Sequence, residues 1–583
     1  MKKLILGFVV LAILSCGIVF AGTHYVSKTG SDEYPYTSWA TAADSIQKGI
    51  DAAERGDTVL VGAGYYRERL ILTPNIALIG AGFDSCTIDG GTDSQLVVIM
   101  ADSCVLEGFH IKGGWNHILS LGVVLNCMDT WVKNNKVTDC YWGISAYSSY
   151  HLVENNILVD NVLGLSTPWG CRPTFKNNTV TGGKYVKAST GIYSLFSECT
   201  IINNLIYDHA AGIATDAEDS SYIANNLIYN CGWEAILLDE PAPDAPVENN
   251  TVIMDLRTGR QAIFFGYSSL KLTNNIVVGG DIGIRSYAAN SHLYYNNVWG
   301  SNTYYFAEGG GSIDTVIGNI HEDPMFVDSL DFHLQMHSPC IDAGHPDIKD
   351  PDSSRSDMGA FGGPFGESYA YQDLPPKAPD SLEATIESTL LIISWKPNTE
   401  ADLSHYCVYK DSTAFFDPDS SRIVGEVQKD SSVFRDSDFV SGSTYYYKIS
   451  AWDLSGHQSP YSEELEVSVT AVPWEDQTQV MTRTYELYQN HPNPFNPRTS
   501  ISYHLPDIGY QPAEAEIIIY NLLGRKVRTL VHERQYPGRH TAAWDGKDDE
   551  GNDLSSGIYF YKLRLNDSDL YPLIKPKKMV LIR

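Results

Sequence analysis

Asp216 and Asp239 hold equivalent places in two successive copies of one short phrase. Each stands four residues beyond a small residue that is followed by isoleucine, at Gly212-Ile213 and Ala235-Ile236. Glu218, Asp219 and Glu240 lie close by. Carboxylates held roughly 5 Å apart repel, which raises a pKa or recruits a cation. Asp216, Glu218, Asp239 and Glu240 therefore form a candidate calcium site. Two reactions suit such a pair. A lyase acting on uronic acids would hold calcium on Asp216 and Asp239 to acidify the C5 proton, with His209 or Arg285 as the base. A hydrolase would use the two aspartates directly as acid and base. Trp169 and Tyr147, on earlier copies of the phrase, offer flat faces for sugar rings.

Two copies carry extra residues, at 179–190 and 251–261. These insertions bracket the copies bearing Asp208, His209, Trp233 and Glu234, and they bring Lys184, Lys187, Arg257 and Arg260. Protruding loops around a two-copy gap make a cleft with an acidic floor, in which Trp233, Glu234, Lys187 and Arg260 would touch substrate. The opposing reading is a solvated acidic turn face. The outward line Ser145, Ser166, Tyr193, Ala214, Leu237, Phe264 and Arg285 is apolar in its middle, which favours binding over cleavage. A non-catalytic surface adhesin or a structural envelope protein is the alternative to an enzyme.

What positions these residues is a repeat. Asparagine pairs begin at Asn134, Asn155, Asn177, Asn203, Asn225, Asn249, Asn274 and Asn296, a loose period of about 23 residues. Between them run segments of three to five residues rich in Val, Ile, Thr and Tyr, broken by Gly, Asn, Asp or Pro. Such runs are too short to stand alone but pair when stacked at about 4.8 Å, which is a parallel β-helix with one coil per repeat. Stacked asparagine amides would then hydrogen-bond along the axis. Ile46, Ile50 and Ala53 are spaced for a helix that ends before Gly56 and covers the first coil. Asp342, Asp352 and Asp357, near Arg355, are expected to close the last coil, alone or around a bound ion.

The net charge of −30 excludes a nucleic-acid partner, because no basic stripe is present to displace counterions from phosphates. Residues 1–21 read as a secretory signal: Lys2 and Lys3, an apolar run, then Val19-Phe20-Ala21. No later run is long enough to span a bilayer. The nine remaining cysteines are scattered singly, as small buried hydrophobes, with one or two disulfides left open.

"HYVSKTG", "GDTVLVGAGYYRERLIL" and "SPCIDAG…RSDMGAFGG" resemble secreted bacterial right-handed parallel β-helix proteins of the pectin-lyase-like group, over residues 22–365. That group spans lyases, hydrolases, esterases and members without a known reaction. After a linker at 366–378, residues 379–470 resemble a fibronectin type III domain, with Trp395 in its core and Tyr447 near the tyrosine-corner position. Residues 484–583, with Asn493-Pro494-Phe495-Asn496-Pro497, Gly524, Trp544-Asp545-Gly546 and Gly557-Ile558-Tyr559, resemble the C-terminal sorting domain of type IX secretion cargo, a hook-capping-like β-sandwich. The resemblance implies the type IX secretion machinery as a partner and a secreted or outer-surface location. The fold class expected is all-β, a right-handed parallel β-helix followed by two β-sandwiches, with polysaccharide as the partner.

Overall fold

The computed structural model describes residues 21–91, 95–113, 120–182, 189–256, 259–387, 390–469, 486–505, 513–536, 538–565 and 575–583. The expected signal, all but its last residue, lies outside them. Among the described residues no helix is long and apolar enough to cross a membrane.

Each repeat is one coil of three short strands. In one coil these are Leu152–Glu154, Ile157–Val159 and Leu163–Thr167, and in the next Thr174–Lys176, Thr179–Thr181 and Thr190–Leu195. Val153 pairs with Phe175, Leu158 with Val180 and Leu165 with Ile192. All six side chains are fully buried. Continued along the chain, this stacking builds three parallel sheets of 13, 11 and 11 strands. The period-two alternation turns one aliphatic residue of every short run inward, and the inward columns fuse into one continuous core.

The two asparagines of each pair have different jobs. The second is inside. Asn226 Nδ2 donates to Asn250 Oδ1 at 3.0 Å, and Asn226 Oδ1 accepts from both the main-chain N–H and the side chain of Asn204, each at 3.0 Å. The same bonds run through Asn135, Asn156, Asn178, Asn204, Asn250, Asn275 and Asn296. The first asparagine turns the corner in the left-handed conformation, with φ near 55° from Asn134 to Asn274. Asparagine tolerates that region better than most residues. The last pair is out of step: Tyr295 takes the left-handed place (φ 54°) and Asn296 the ladder. Asn319 extends the ladder without a paired asparagine, because Gly318 (φ 64°) turns its corner.

The helix Ile46–Ala52, capped by Ser45, buries Ile46 and Ile50 on the first coil as expected. At the other end, residues 344–366 double back as a strap along the asparagine corner. Asn203 donates to Phe365 O at 3.0 Å, Asn225 to Ala360 O at 2.9 Å and Asn249 to Asp357 O at 2.9 Å. Gly359 (φ +90°) sits so close that an added Cβ would lie 2.7 Å from Ile276 Cδ1 and Thr251 Oγ1. Of the acidic group expected here, Asp357 is buried and accepts from Tyr371 Oη at 2.7 Å and Asp342 N at 2.8 Å, while burial pushes its carboxyl up to about 6. Arg355 does not pair with these aspartates; it donates to Gly344 O and Ala343 O. The nine cysteines are all buried and free.

Residues 380–468 form a three-stranded and a four-stranded antiparallel sheet. Trp395 is buried against Tyr406, with ring centroids 5.1 Å apart. The tyrosine assignment shifts. Tyr447 donates to the Asp436 carboxylate at 2.6 Å, whereas the hydroxyl that meets upstream main chain belongs to Tyr445, accepting from Val440 N at 3.0 Å. A second compact unit spans residues 470–583. Its sheets of three and four antiparallel strands close on Phe495, Trp544, Tyr561 and Leu581. Its acidic run Asp548-Asp549-Glu550 forms a turn, in which Asp548 Oδ1 accepts from Glu550 N and Asn552 N, at 3.0 and 2.8 Å.

Candidate functional site

Each coil turns three corners, and the third, after the longest strand, differs in its middle coils. The first corner is turned by asparagines from Asn134 to Asn274, then by Tyr295 and Gly318, and the second by Asp139, Asp160, Asp208, Asn230, Gly279 and Gly300. Apart from Tyr295, all are residues that accept φ near +60° at small cost. At the third, Ser103, Asp129, Tyr150 and Gly170 are left-handed in the earlier coils and Gly309 in the last, while the coils between are turned by Phe196, Ala217, Glu240, Tyr267 and Ala288, with φ between 48° and 64°. A Cβ-bearing aromatic or glutamate there is strained, and such strain gathers where a site needs it.

Asp216 and Asp239 are at this corner. They are register partners in adjacent parallel strands, Ala211–Asp216 and Glu234–Asp239. Burial, then the neighbouring Asp216, raises the Asp239 carboxyl above its ordinary value. One coil on, a Cβ on Gly266 would lie 3.6 Å from Asp239 Oδ1, so the glycine leaves the carboxylate open on that side. Aromatic rings flank the pair along the same corner. Trp169 and Phe196 stack at 5.1 Å with planes 10° apart, and Tyr267 meets Tyr287 edge-on at 5.3 Å. Trp169, Phe196 and Tyr267 are all exposed, as is Tyr147 on an earlier coil. Counting one residue past the aspartate offset reaches Phe196 and Tyr267, a column that the sequence reading passed over.

Several expected members are elsewhere. His209 is fully buried; its Nδ1 meets Ser189 Oγ at 3.0 Å, and its Nε2 has no partner. Burial lowers its pKa to about 4, and it does not reach the surface where a base would act. Gly182 makes this possible, since a Cβ there would lie 2.7 Å from His209 Nδ1. Asp219 is likewise internal, accepting from Ser194 Oγ at 2.5 Å, Ser197 N at 3.1 Å and Ser221 N at 2.9 Å. Glu218 and Glu240 are exposed and joined through their main chains, Glu218 N to Glu240 O at 2.5 Å. Three clusters of metal-type donors lie within 4.8 Å among the described residues, and none includes Asp216, Glu218, Asp239 or Glu240. The quartet is not a closed cage, because the turn passes through two successive left-handed residues, Ala217 and Glu218, before leaving the corner.

Arg285 is engaged two coils further on. It pairs with Glu308 and donates to Gln261 Oε1 at 2.9 Å, while Gln261 donates to Glu234 Oε1 at 2.6 Å. Glu234 is thus tied into a polar row on the outer face of the third sheet, and burial raises its carboxyl. A guanidinium held by a carboxylate is a poor proton acceptor. Trp233 is exposed beside this row. Arg260 pairs with Asp255 of its own loop at 2.9 Å and does not face an acidic floor. Lys184, Lys187 and Arg257 lie outside the described residues. A separate cleft of about 350 Å³ opens at the first corner where the strap ends, lined by Asn177, Asn203, Phe361, Phe365 and Glu367 among others.

Residues 170–299 match the family described as right handed beta helix region, and residues 509–569 match the FlgD Ig-like domain. No curated protein matches the chain. Among solved structures, the periplasmic alginate epimerase AlgG is similar at 14% identity over 46% of this chain and 76% of its own, with a TM-score of 0.35. A pectin methylesterase solved with a hexasaccharide is similar at 13% identity over 51% and 93%, with a TM-score of 0.21. An Fn3-like protein from Clostridium thermocellum is similar at 20% identity over 16% and 92%, with a TM-score of 0.14. At these scores the likenesses carry no argument about activity.

Proposed function

We propose that this is an exported protein that holds an acidic extracellular polysaccharide along its third corner. The observation carrying the reading is that corner's make-up: strained, exposed aromatic residues on both sides of two in-register aspartates. From the coil of Trp169 to that of Tyr287 is five steps, about 24 Å, enough for several sugar rings in a row. The rings supply stacking faces. A chain of charge −30 repels a uronate polymer unless a cation intervenes. Asp216 and Asp239 would hold calcium from one side, and the polymer's own carboxylates would complete the oxygen set.

Binding is favoured over elimination because neither expected base is available, His209 being internal and Arg285 paired. A second reading, hydrolysis, draws on the raised carboxyl of Asp239 beside Asp216, the pattern of an acid kept protonated next to a charged partner. The test is the mature protein on a panel of uronic-acid polymers, with calcium and with chelator. Calcium-dependent retention lost in Asp216→Asn/Asp239→Asn and reduced in Trp169→Ala supports the proposal. New reducing ends would instead support hydrolysis, and an unsaturated product absorbing in the ultraviolet would support a lyase. Binding that none of these changes affects would sink it. For residues 484–583 we propose a type IX sorting role, tested by deleting them and following whether the chain still leaves the periplasm.

A further inference from the structure

The junction between the end of the solenoid and the fibronectin-like domain gathers metal-type donors from three separate segments. His337 comes from the terminal cap, Asp373 from the linker and Asp402 from the sandwich, each offering a ligand atom within 4.8 Å of the others. Asp453 and His457 form a second such set with the same Asp373.

Three carboxylates converge here in partial or full burial. Asp402 is 4% exposed, and the charged groups facing it are Asp453, His337 and Asp373. The Asp453 side chain is fully buried. Like charges so placed need a counter-charge. His457 supplies only part of it. Its Nδ1 lies 3.1 Å from Asp453 Oδ2 and 3.7 Å from Asp373 Oδ1. One ring nitrogen donates one hydrogen, and the nearer carboxylate takes it. Asp373 Oδ1 is left shielded from solvent with no hydrogen-bond partner among the described residues. A carboxylate oxygen cut off from water without a donor is destabilising, and a cation is the ligand that removes that cost.

The surrounding contacts show a docked junction. Thr399 of the sandwich donates to Asp323 of the cap, Lys377 lies 3.8 Å from the same carboxylate, and Ala401 N reaches Met325 Sδ at 3.4 Å. Lys377 is therefore committed beside Asp323. His337 is exposed and held at φ +72°, an unusual conformation for a side-chain-bearing residue.

We propose that His337, Asp373 and Asp402 bind one divalent transition-metal cation, zinc by the character of the donors, which fastens the solenoid to the fibronectin-like domain. Imidazole together with carboxylates selects a borderline ion over calcium or magnesium. Zinc at about 2.0–2.1 Å from each ligand requires the three donors to close in by a fraction of an ångström to an ångström. His457, held by Asp453, lies against Asp373 and positions it.

The test uses the full mature chain, stripped with chelator and titrated with zinc chloride by calorimetry in the presence of millimolar calcium to occupy surface carboxylates. One tight equivalent is expected. His337→Gln, an exposed change that leaves the fold intact by circular dichroism, should weaken that equivalent by at least about tenfold. Asp216→Asn/Asp239→Asn should leave it unchanged. Asp402→Asn supplies a readout that a purely structural carboxylate would not give. It should raise the melting temperature of the metal-free chain by relieving repulsion, yet abolish the rise that zinc produces in the native chain. No tight zinc equivalent, or one that persists in both His337→Gln and Asp402→Asn, overturns the site. Loss in Asp402→Asn alone overturns the assignment of His337.

Discussion

Replacing Asn226 by alanine probes the ladder at its centre, in a fully buried position. The side chain accepts from Asn204 N and Asn204 Nδ2 and donates to Ile201 O, Ala224 O and Asn250 Oδ1, all at 2.9–3.0 Å. Removal does not strand all of these equally. Asn204 Nδ2 has two hydrogens and keeps Phe175 O and Ile202 O as acceptors. Asn204 N–H loses the acceptor it bonds to, an orphaned buried donor worth about 1–3 kcal/mol, and the lost donations add about 1 kcal/mol each. The total is about 3–5 kcal/mol. Replacing the neighbouring Asn225 by glycine gives the contrast. Glycine accepts its φ of 55° freely, and only the bonds to Ala360 O and Gly362 O disappear, about 1–2 kcal/mol. Because coils can open locally, hydrogen exchange read by mass spectrometry is the assay. Asn226→Ala should lower protection of residues 200–230 by about a hundredfold or more, with tenfold per 1.4 kcal/mol. Asn225→Gly should act mainly on the strap, by about tenfold. Equal effects, or a loss under about 1 kcal/mol for Asn226→Ala, would refute the division of labour within the pair.

His209→Asn should change how stability depends on pH. Burial depresses the folded pKa of His209 to about 4 from 6.5. Between those values the unfolded chain takes up a proton that the folded chain refuses, so this contribution is intact above about pH 6.5 and is lost as pH falls towards 4. Relative to the variant, the native chain should lose about 2–3 kcal/mol between pH 7 and pH 4.5, measured by urea unfolding at each pH. Parallel curves for the two proteins would contradict it. Gly279→Ala places a Cβ 2.0 Å from Met254 O at φ +75°, and should lower the melting temperature of the solenoid by several degrees, an effect of about 2 kcal/mol or more. Tyr447→Phe removes the donor to Asp436, which also holds Lys410 Nζ at 2.7 Å; a loss of about 1–3 kcal/mol is expected in thermal unfolding of the fibronectin-like part.

The repeat was legible because each coil restates it, and the register that joins Asp216 to Asp239 followed from counting alone. What counting did not reveal was the rule of the corners, namely that a left-handed residue is followed by one turned inward. That rule makes the second asparagine of each pair the ladder member. Applied at the second corner, it turns the residues after Asp139, Asp160, Asp208 and Asn230 inward: Cys140, Asn161, His209 and Cys231, all buried. A histidine following an aspartate in this phrase is therefore core, whatever its chemistry suggests. The failure at the last pair has the same origin, since Tyr295 can turn the corner and so shifts the asparagines by one place. The rule also explains why the third corner stands out. A scaffold that turns most of its corners with asparagine, aspartate and glycine sets Phe196, Glu240 and Tyr267 in the same strained conformation at the third corner of its middle coils, as it sets Tyr295 once at the first. Nothing in stacking short strands requires those residues there. Their presence beside Asp216 and Asp239 is what makes that stretch of the third corner the face proposed above for binding.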